Sequence, residues 1–215
     1  PVGSNNGGIE SVAYVDDGGN VSIESTTLEN ASDQMTTDTL SDAEVEGLLY
    51  MREEEKLARD VYLTLYDEWG VPVFQNIANS EQTHTNAVRN LLDRYDIEDP
   101  AAENDIGVFA NSTLQALYDQ LVQQGSQSLA DAFRVGAAIE EIDILDLEVR
   151  IAQTEEPDIQ QVYENLMNGS RNHLQAFASN LERRTGETYQ PQYLSQAAFA
   201  SIVEAPTERG RGRGS

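Results

Sequence analysis

His84 and His173 are the two imidazoles of the chain, and each follows a polar residue by three positions, Glu81 and Ser170. That spacing puts both members of a pair on one face of a helix. Carboxylates recur in comparable places. Glu55 interrupts the series Leu48, Met51, Ala58, Tyr62, Leu65, Trp69, and Glu140 interrupts Leu129, Phe133, Gly136, Ile144, Leu147, Ile151. Steps of three and four make each series an apolar stripe, so a charge in mid-stripe faces inward. Asp143 stands one turn beyond Glu140, at the stripe's edge, whereas Glu54 is turned about 100° away from Glu55. A single inward Glu is ordinarily half of an ion pair, and a single inward His a satisfied core residue. Here every long helix brings a polar side chain to mid-stripe. Burying several carboxylates together is costly unless something positive sits among them.

Arg52 and Arg59 flank the first stripe and could supply that charge as a buried ion-pair network. Two divalent metal ions match the charges better. Glu55, Glu81, Glu140 and Asp143 balance two doubly charged cations, and His84 and His173 offer one neutral nitrogen to each. Oxygen and imidazole ligands without thiolate favour iron, with manganese as the alternative, over structural zinc. The chain has no cysteine. Glu141 rivals Glu140 for the inward position, but Glu140 keeps the rhythm of the stripe. Tyr62, two turns on from Glu55, is a core residue that at such a centre would serve as hydrogen-bond partner or electron donor near Glu55.

The elements that carry these residues read as helices. Ser41 with Glu44 forms a capping box ahead of a helix that runs to Trp69 and stops at Gly70 and Pro72. Further helices are expected at about residues 74–95, 112–124 (short), 128–154 and 158–185, the last ending at Gly186. The fold class is therefore all-α, a four-helix bundle with one extra short helix over residues 40–186. A second apolar side of the fourth helix (Val135, Ala138, Ile142, Leu145, Val149, Ala152) should pack on the short helix, the arm or another subunit. Residues 1–39 are an acidic arm without Lys or Arg, in which SVAYV and NVSIES flank DDGG as a β-hairpin. Residues 187–215 form an extension whose Arg209, Arg211 and Arg213 lie in a flexible glycine-rich tail.

Composition sets the partners. With 38 Asp and Glu against 13 Lys and Arg, a net charge of −25 makes nucleic acid and anionic membranes poor partners for the 215-residue chain. No apolar run approaches the roughly 18 residues of a membrane span. Lys56 is the only lysine, and the carboxylate-rich surface resembles that of proteins from salt-loving archaea. Asn20, Asn30, Asn111 and Asn168 each open an Asn-x-Ser/Thr sequon, and the chain starts at Pro1. The sequons favour an extracellular or cell-surface protein over a cytoplasmic one, and the start at Pro1 is expected to follow a removed segment, a secretory leader being one of two explanations. The serine-hydrolase, phosphate-loop and dinucleotide-binding motifs do not occur.

Through EEEKLARDVY (53–62), SEQTH (80–84), IEEIDILDLE (139–148) and GSRNHLQAF (169–177), the chain resembles the ferritin-like di-iron carboxylate superfamily. More closely, it is similar to an uncharacterised ferritin-like family of archaea and bacteria. The resemblance covers about residues 40–183 and implies a dinuclear centre. Glu55 matches its first-helix carboxylate, Glu81 and His84 its first Glu-x-x-His pair, Glu140 its third-helix carboxylate and His173 its second histidine. Ser170 stands where the superfamily has a second-pair Glu, and Asp143 is expected to restore that charge; without it one metal site is weakened. The implied activity is that of a ferroxidase, an oxidase or a peroxide-consuming protein, in a homo-oligomer. The alternative is a structural or cell-surface assembly module, its subunits linked through the arm.

Overall fold

The computed structural model describes residues 13–15, 21–23 and 40–205. In the first unit, two three-residue strands, β1 (Ala13–Val15) and β2 (Val21–Ile23), pair antiparallel with Tyr14 opposite Ser22. The remainder of the expected hairpin arm and the Arg-Gly tail lie outside the described residues. The second unit is all-helical: α1 (Asp42–Trp69), α2 (Pro72–Arg94), α3 (Ser112–Gly125), α4 (Leu129–Gln153), α5 (Pro157–Thr185) and α6 (Gln196–Val203).

The helix ends follow local chemistry. Ser41 Oγ accepts the Glu44 N–H at 3.3 Å and the Glu44 carboxylate accepts the Ser41 N–H at 2.8 Å, closing the capping box. Pro72 and Pro157 open α2 and α5, where a missing N–H costs nothing. Gly70 ends α1 in the left-handed region at φ 63°. Asn111, which begins a sequon, is the N-cap of α3 and accepts the Thr113 and Leu114 N–H groups.

α1 packs on α2 and α4 on α5, and the two pairs meet through α1 with α4 and α2 with α5. α3 lies against α1 and α4. Two apolar clusters fill the interior, one around Leu65, Phe74, Phe133 and Phe177 and one around Leu48, Leu92, Leu147 and Leu166. Each of the four long helices passes from one cluster to the other. At the crossing it presents polar side chains: Glu55 on α1, Glu81 and His84 on α2, Glu140 and Asp143 on α4, Ser170 and His173 on α5. The second apolar side of α4 is buried at Val135 and Ala138, but at its far end Val149 is 51% exposed.

α1 is buried on more than one side, which a single-stripe reading does not capture. Arg52, Glu53, Glu54, Glu55 and Lys56 are all buried. Glu53 accepts the backbone N–H groups of Ala110 (2.5 Å) and Asn111 (3.0 Å). Lys56 donates to Asp60 (2.5 Å) and to the carbonyls of Asp105 (2.8 Å) and Val108 (3.1 Å). These two residues therefore hold the α2–α3 loop onto the helix.

The described part of the expected extension after α5 is folded and contains α6. Glu141, fully buried, accepts the N–H groups of Gln192 (2.9 Å), Tyr193 (2.6 Å) and Leu194 (2.8 Å). This charge-assisted clasp leads the chain into α6, whose Ile202 joins the core. Glu141→Ala leaves a buried cavity and three backbone N–H groups without their acceptor and should cost about 2–4 kcal/mol in urea unfolding. Metal capacity should be unchanged, and a lost ion in this variant would show that Glu141 acts at the centre.

Candidate metal centre

Glu81 is the hub of the polar crossing. Its Oε2 lies 2.7 Å from His84 Nδ1 and its Oε1 2.7 Å from His173 Nδ1. Glu55 Oε2 approaches His84 Nδ1 at 3.3 Å, and Glu140 Oε2 approaches His173 Nδ1 at 3.5 Å. Two convergent triads result, Glu55 with Glu81 and His84, and Glu81 with Glu140 and His173. The ligand atoms within each lie within 4.8 Å of one another. The imidazoles face each other with centroids 5.6 Å apart.

Around this pair stand residues that orient it. His173 Nε2 is 3.0 Å from Ser80 Oγ, which fixes the ring and frees Nδ1 to point inward. Tyr62, expected to act near Glu55, is fully buried and donates its hydroxyl to Glu140 Oε1 at 2.6 Å. Ser170 Oγ donates to Asp143 Oδ2 and to the Leu166 carbonyl at 2.9 Å. Asp143 thus stands against the serine that replaces the expected carboxylate, although it belongs to neither triad. A Cβ at Gly169 would come within 2.5 Å of His84 Cε1, so only glycine lets α5 pass this ring.

The electrostatics report a surplus of negative charge. Burial pushes the Glu55 carboxyl up to about 7 against the pull of His84. Burial also raises Glu140, and it raises Asp143 further with help from Glu55. Glu81 is the exception: burial would raise it, but His173 and His84 hold it below the ordinary carboxylate range. Burial opposes both imidazolium ions, yet Glu55 and Glu81 lift His84 to about 12, and Glu81 and Glu140 lift His173 to about 10. Glu55 Oε1 and Asp143 Oδ1 are buried with no hydrogen-bond partner among the described residues.

The arginines do not supply the missing charge. Arg52 pairs with Asp99 at 2.9 Å, while Arg59 pairs with Asp60 at 2.7 Å and donates to Gln82. The expected ion-pair alternative therefore has no arginine at the centre. Glu54, expected to turn away, is buried, and neither of its oxygens meets an N–H donor among the described residues. Ser80 and Gly169 also escaped the sequence reading, although both lie inside the motifs that carry the histidines. Ser80→Ala should weaken metal binding about tenfold by releasing His173. Competition against a chelator measures this, and an unchanged affinity would remove Ser80 from the account.

Residues 44–206 match the family model described as an uncharacterized protein domain, DUF2202. The uncharacterized protein MJ0754 of Methanocaldococcus jannaschii is 53% identical over 174 residues, which cover 81% of this chain and 94% of that protein. The crystal structure of hypothetical protein MJ0754 superposes with a TM-score of 0.77, covering 79% of this chain and 96% of that one. This relative comes from a methanogen, not from the salt-loving archaea that the surface composition suggested. Matched over most of its length, the chain belongs to the DUF2202 family.

Proposed function

We propose that the chain binds two first-row transition-metal ions, iron or alternatively manganese, within a ferritin-like four-helix bundle formed by α1, α2, α4 and α5. The observation that carries this reading is the Glu81 carboxylate, whose two oxygens each meet Nδ1 of a different histidine. Glu81 would bridge the ions, Glu55 and His84 would hold one, and Glu140 and His173 the other. Asp143 adds the fourth negative charge beside Ser170. The donor set fits: oxygen and imidazole without thiolate, carboxylates without arginine partners, and buried ligand atoms lacking hydrogen bonds.

When bound, such a pair supplies redox chemistry toward dioxygen or peroxide. This chain's own residues hold and shield it. Ser80 sets the His173 ring, and Tyr62 keeps Glu140 oriented by donating its hydroxyl proton. Phe177, fully buried with its ring 5.0 Å from that of Tyr62, makes this side of the site apolar. The activity proposed is that of an oxidoreductase, acting as ferroxidase, oxidase or peroxide consumer, with Tyr62 placed to donate an electron.

Metal content per chain tests the reading directly, by elemental analysis after anaerobic ferrous loading and removal of loose ions. About two irons per chain are expected from the charge balance. A chain that retains none would sink the proposal.

A further inference from the structure

Glu54 lies next to Glu55 in sequence but faces α4. It is 4% exposed, and neither of its oxygens meets an N–H donor among the described residues. What faces it is acidic: the Asp146 carboxyl stands within hydrogen-bonding reach, and Asp143 lies close enough to repel it. Burial, Asp143 and Asp146 together push the Glu54 carboxyl well above the ordinary range. Asp143 is itself buried, gives Oδ2 to Ser170, and leaves Oδ1 without a donor. Beyond it lie Glu55, Glu140 and Glu81. At the other end Asp146 is half-buried, as is the neighbouring Tyr50. Arg150, at this rim, lies over the Tyr50 ring at 5.4 Å and donates to Gln153.

Carboxylates therefore succeed one another from the half-buried Asp146 through Glu54 to Asp143 and the centre. No N–H donor or cation among the described residues compensates Glu54, whose carboxyl faces the acid Asp146, an arrangement that costs free energy unless a proton or a cation is shared between the two. A chain of oxygen ligands accounts for it. Each carboxylate lowers the cost of stripping water from a divalent cation, and oxygen ligands alone hold such an ion less tightly than a site containing imidazole. Transfer needs sites attractive enough to accept the ion and weak enough to release it. Neither Glu54 nor Asp146 belongs to the convergent triads, which suits passage and not residence.

We propose that Asp146 and Glu54 form the inner passage by which a divalent transition-metal cation crosses from the α1/α4 surface to Asp143 and the metal centre. The inference rests on the metal-centre reading above. Its test is stopped-flow uptake of Co2+ by the full chain, followed through the visible bands of the bound ion. Glu54→Gln and Asp146→Asn should each slow uptake about tenfold, equivalent to roughly 1.4 kcal/mol of barrier, while final stoichiometry equals wild type. The double variant should be no slower than the slower single one, because both act on one path. Glu68→Gln, at an exposed position near the end of α1, should load at the wild-type rate. Wild-type rates in both passage variants would overturn the proposal. An ion lost from Glu54→Gln would also overturn it, making Glu54 a resident ligand. Failure of the wild-type chain to take up Co2+ would instead bring down the metal-centre reading, and the passage with it.

Discussion

Glu81→Ala is expected to empty both metal positions at once. Glu81 is the residue common to the two triads, with one oxygen toward each histidine. Loss of an outer partner alone typically weakens a site 10- to 100-fold, so removing the shared ligand should cost more than roughly 100-fold at both positions. The flanking carboxylates behave differently. Glu55→Ala should release only the ion on the His84 side, and Glu140→Ala only the one on the His173 side, each leaving about one ion per chain. Elemental analysis of the three variants separates a bridged pair from two independent sites. Glu81→Ala protein that still holds one tight ion would show that the sites are independent. Circular dichroism of the same samples checks that the helices persist.

Metal should also reverse how stability responds to pH. In metal-stripped protein, Glu54, Glu55, Glu140 and Asp143 are raised, so the folded chain binds more protons than the unfolded one above about pH 4.5. The raised histidines act in the same direction. Their stabilisation is complete below the unfolded value of about 6.5 and is lost as pH climbs through about 10 and 12. Glu81, being lowered, works the other way, but only at acid pH. Stability of the stripped chain should therefore fall as pH rises from 5 to 8. For Glu55 alone, raised to about 7, the loss is about 3 kcal/mol, or roughly 6–12 °C in Tm.

On the proposed reading, two divalent ions would take the place of those protons. Each, at a hundredfold excess over its Kd, adds about 2.7 kcal/mol, so loading should raise Tm at pH 8 by roughly 10–20 °C. Calorimetry in molar salt, where repulsion among the surface acids is screened, isolates this contribution. Glu55→Gln should flatten the slope of the stripped protein. A slope unchanged in that variant would show that the pH response arises elsewhere.

The five larger helices and the inward positions of Glu55, Glu81, His84, Glu140 and His173 were legible in the order of residues. The reason is local: capping residues, prolines and glycines set the helix ends, and the three-and-four rhythm fixes which side chains share a face. A charge in mid-stripe is legible because the apolar residues around it declare the direction. What the rhythm does not encode is the number of sides on which a helix is covered. α1 is packed by α2, α4, α3 and the loop before α3, so the run Glu53 to Lys56 is buried although its members point in different directions.

The partner of each of those charges is set by the packing of distant segments. Glu53 and Lys56 clasp a loop, Glu54 faces the acids of α4, and Glu55 reaches His84. Glu140 and Glu141 divide in the same way. The first meets Tyr62 and His173, and the second pins the backbone at 192–194 and brings α6 into place. Adjacent residues on a helix are separated by about 100°, so they address different neighbours, and those neighbours come from segments distant in sequence. Periodicity within one helix carries no record of them.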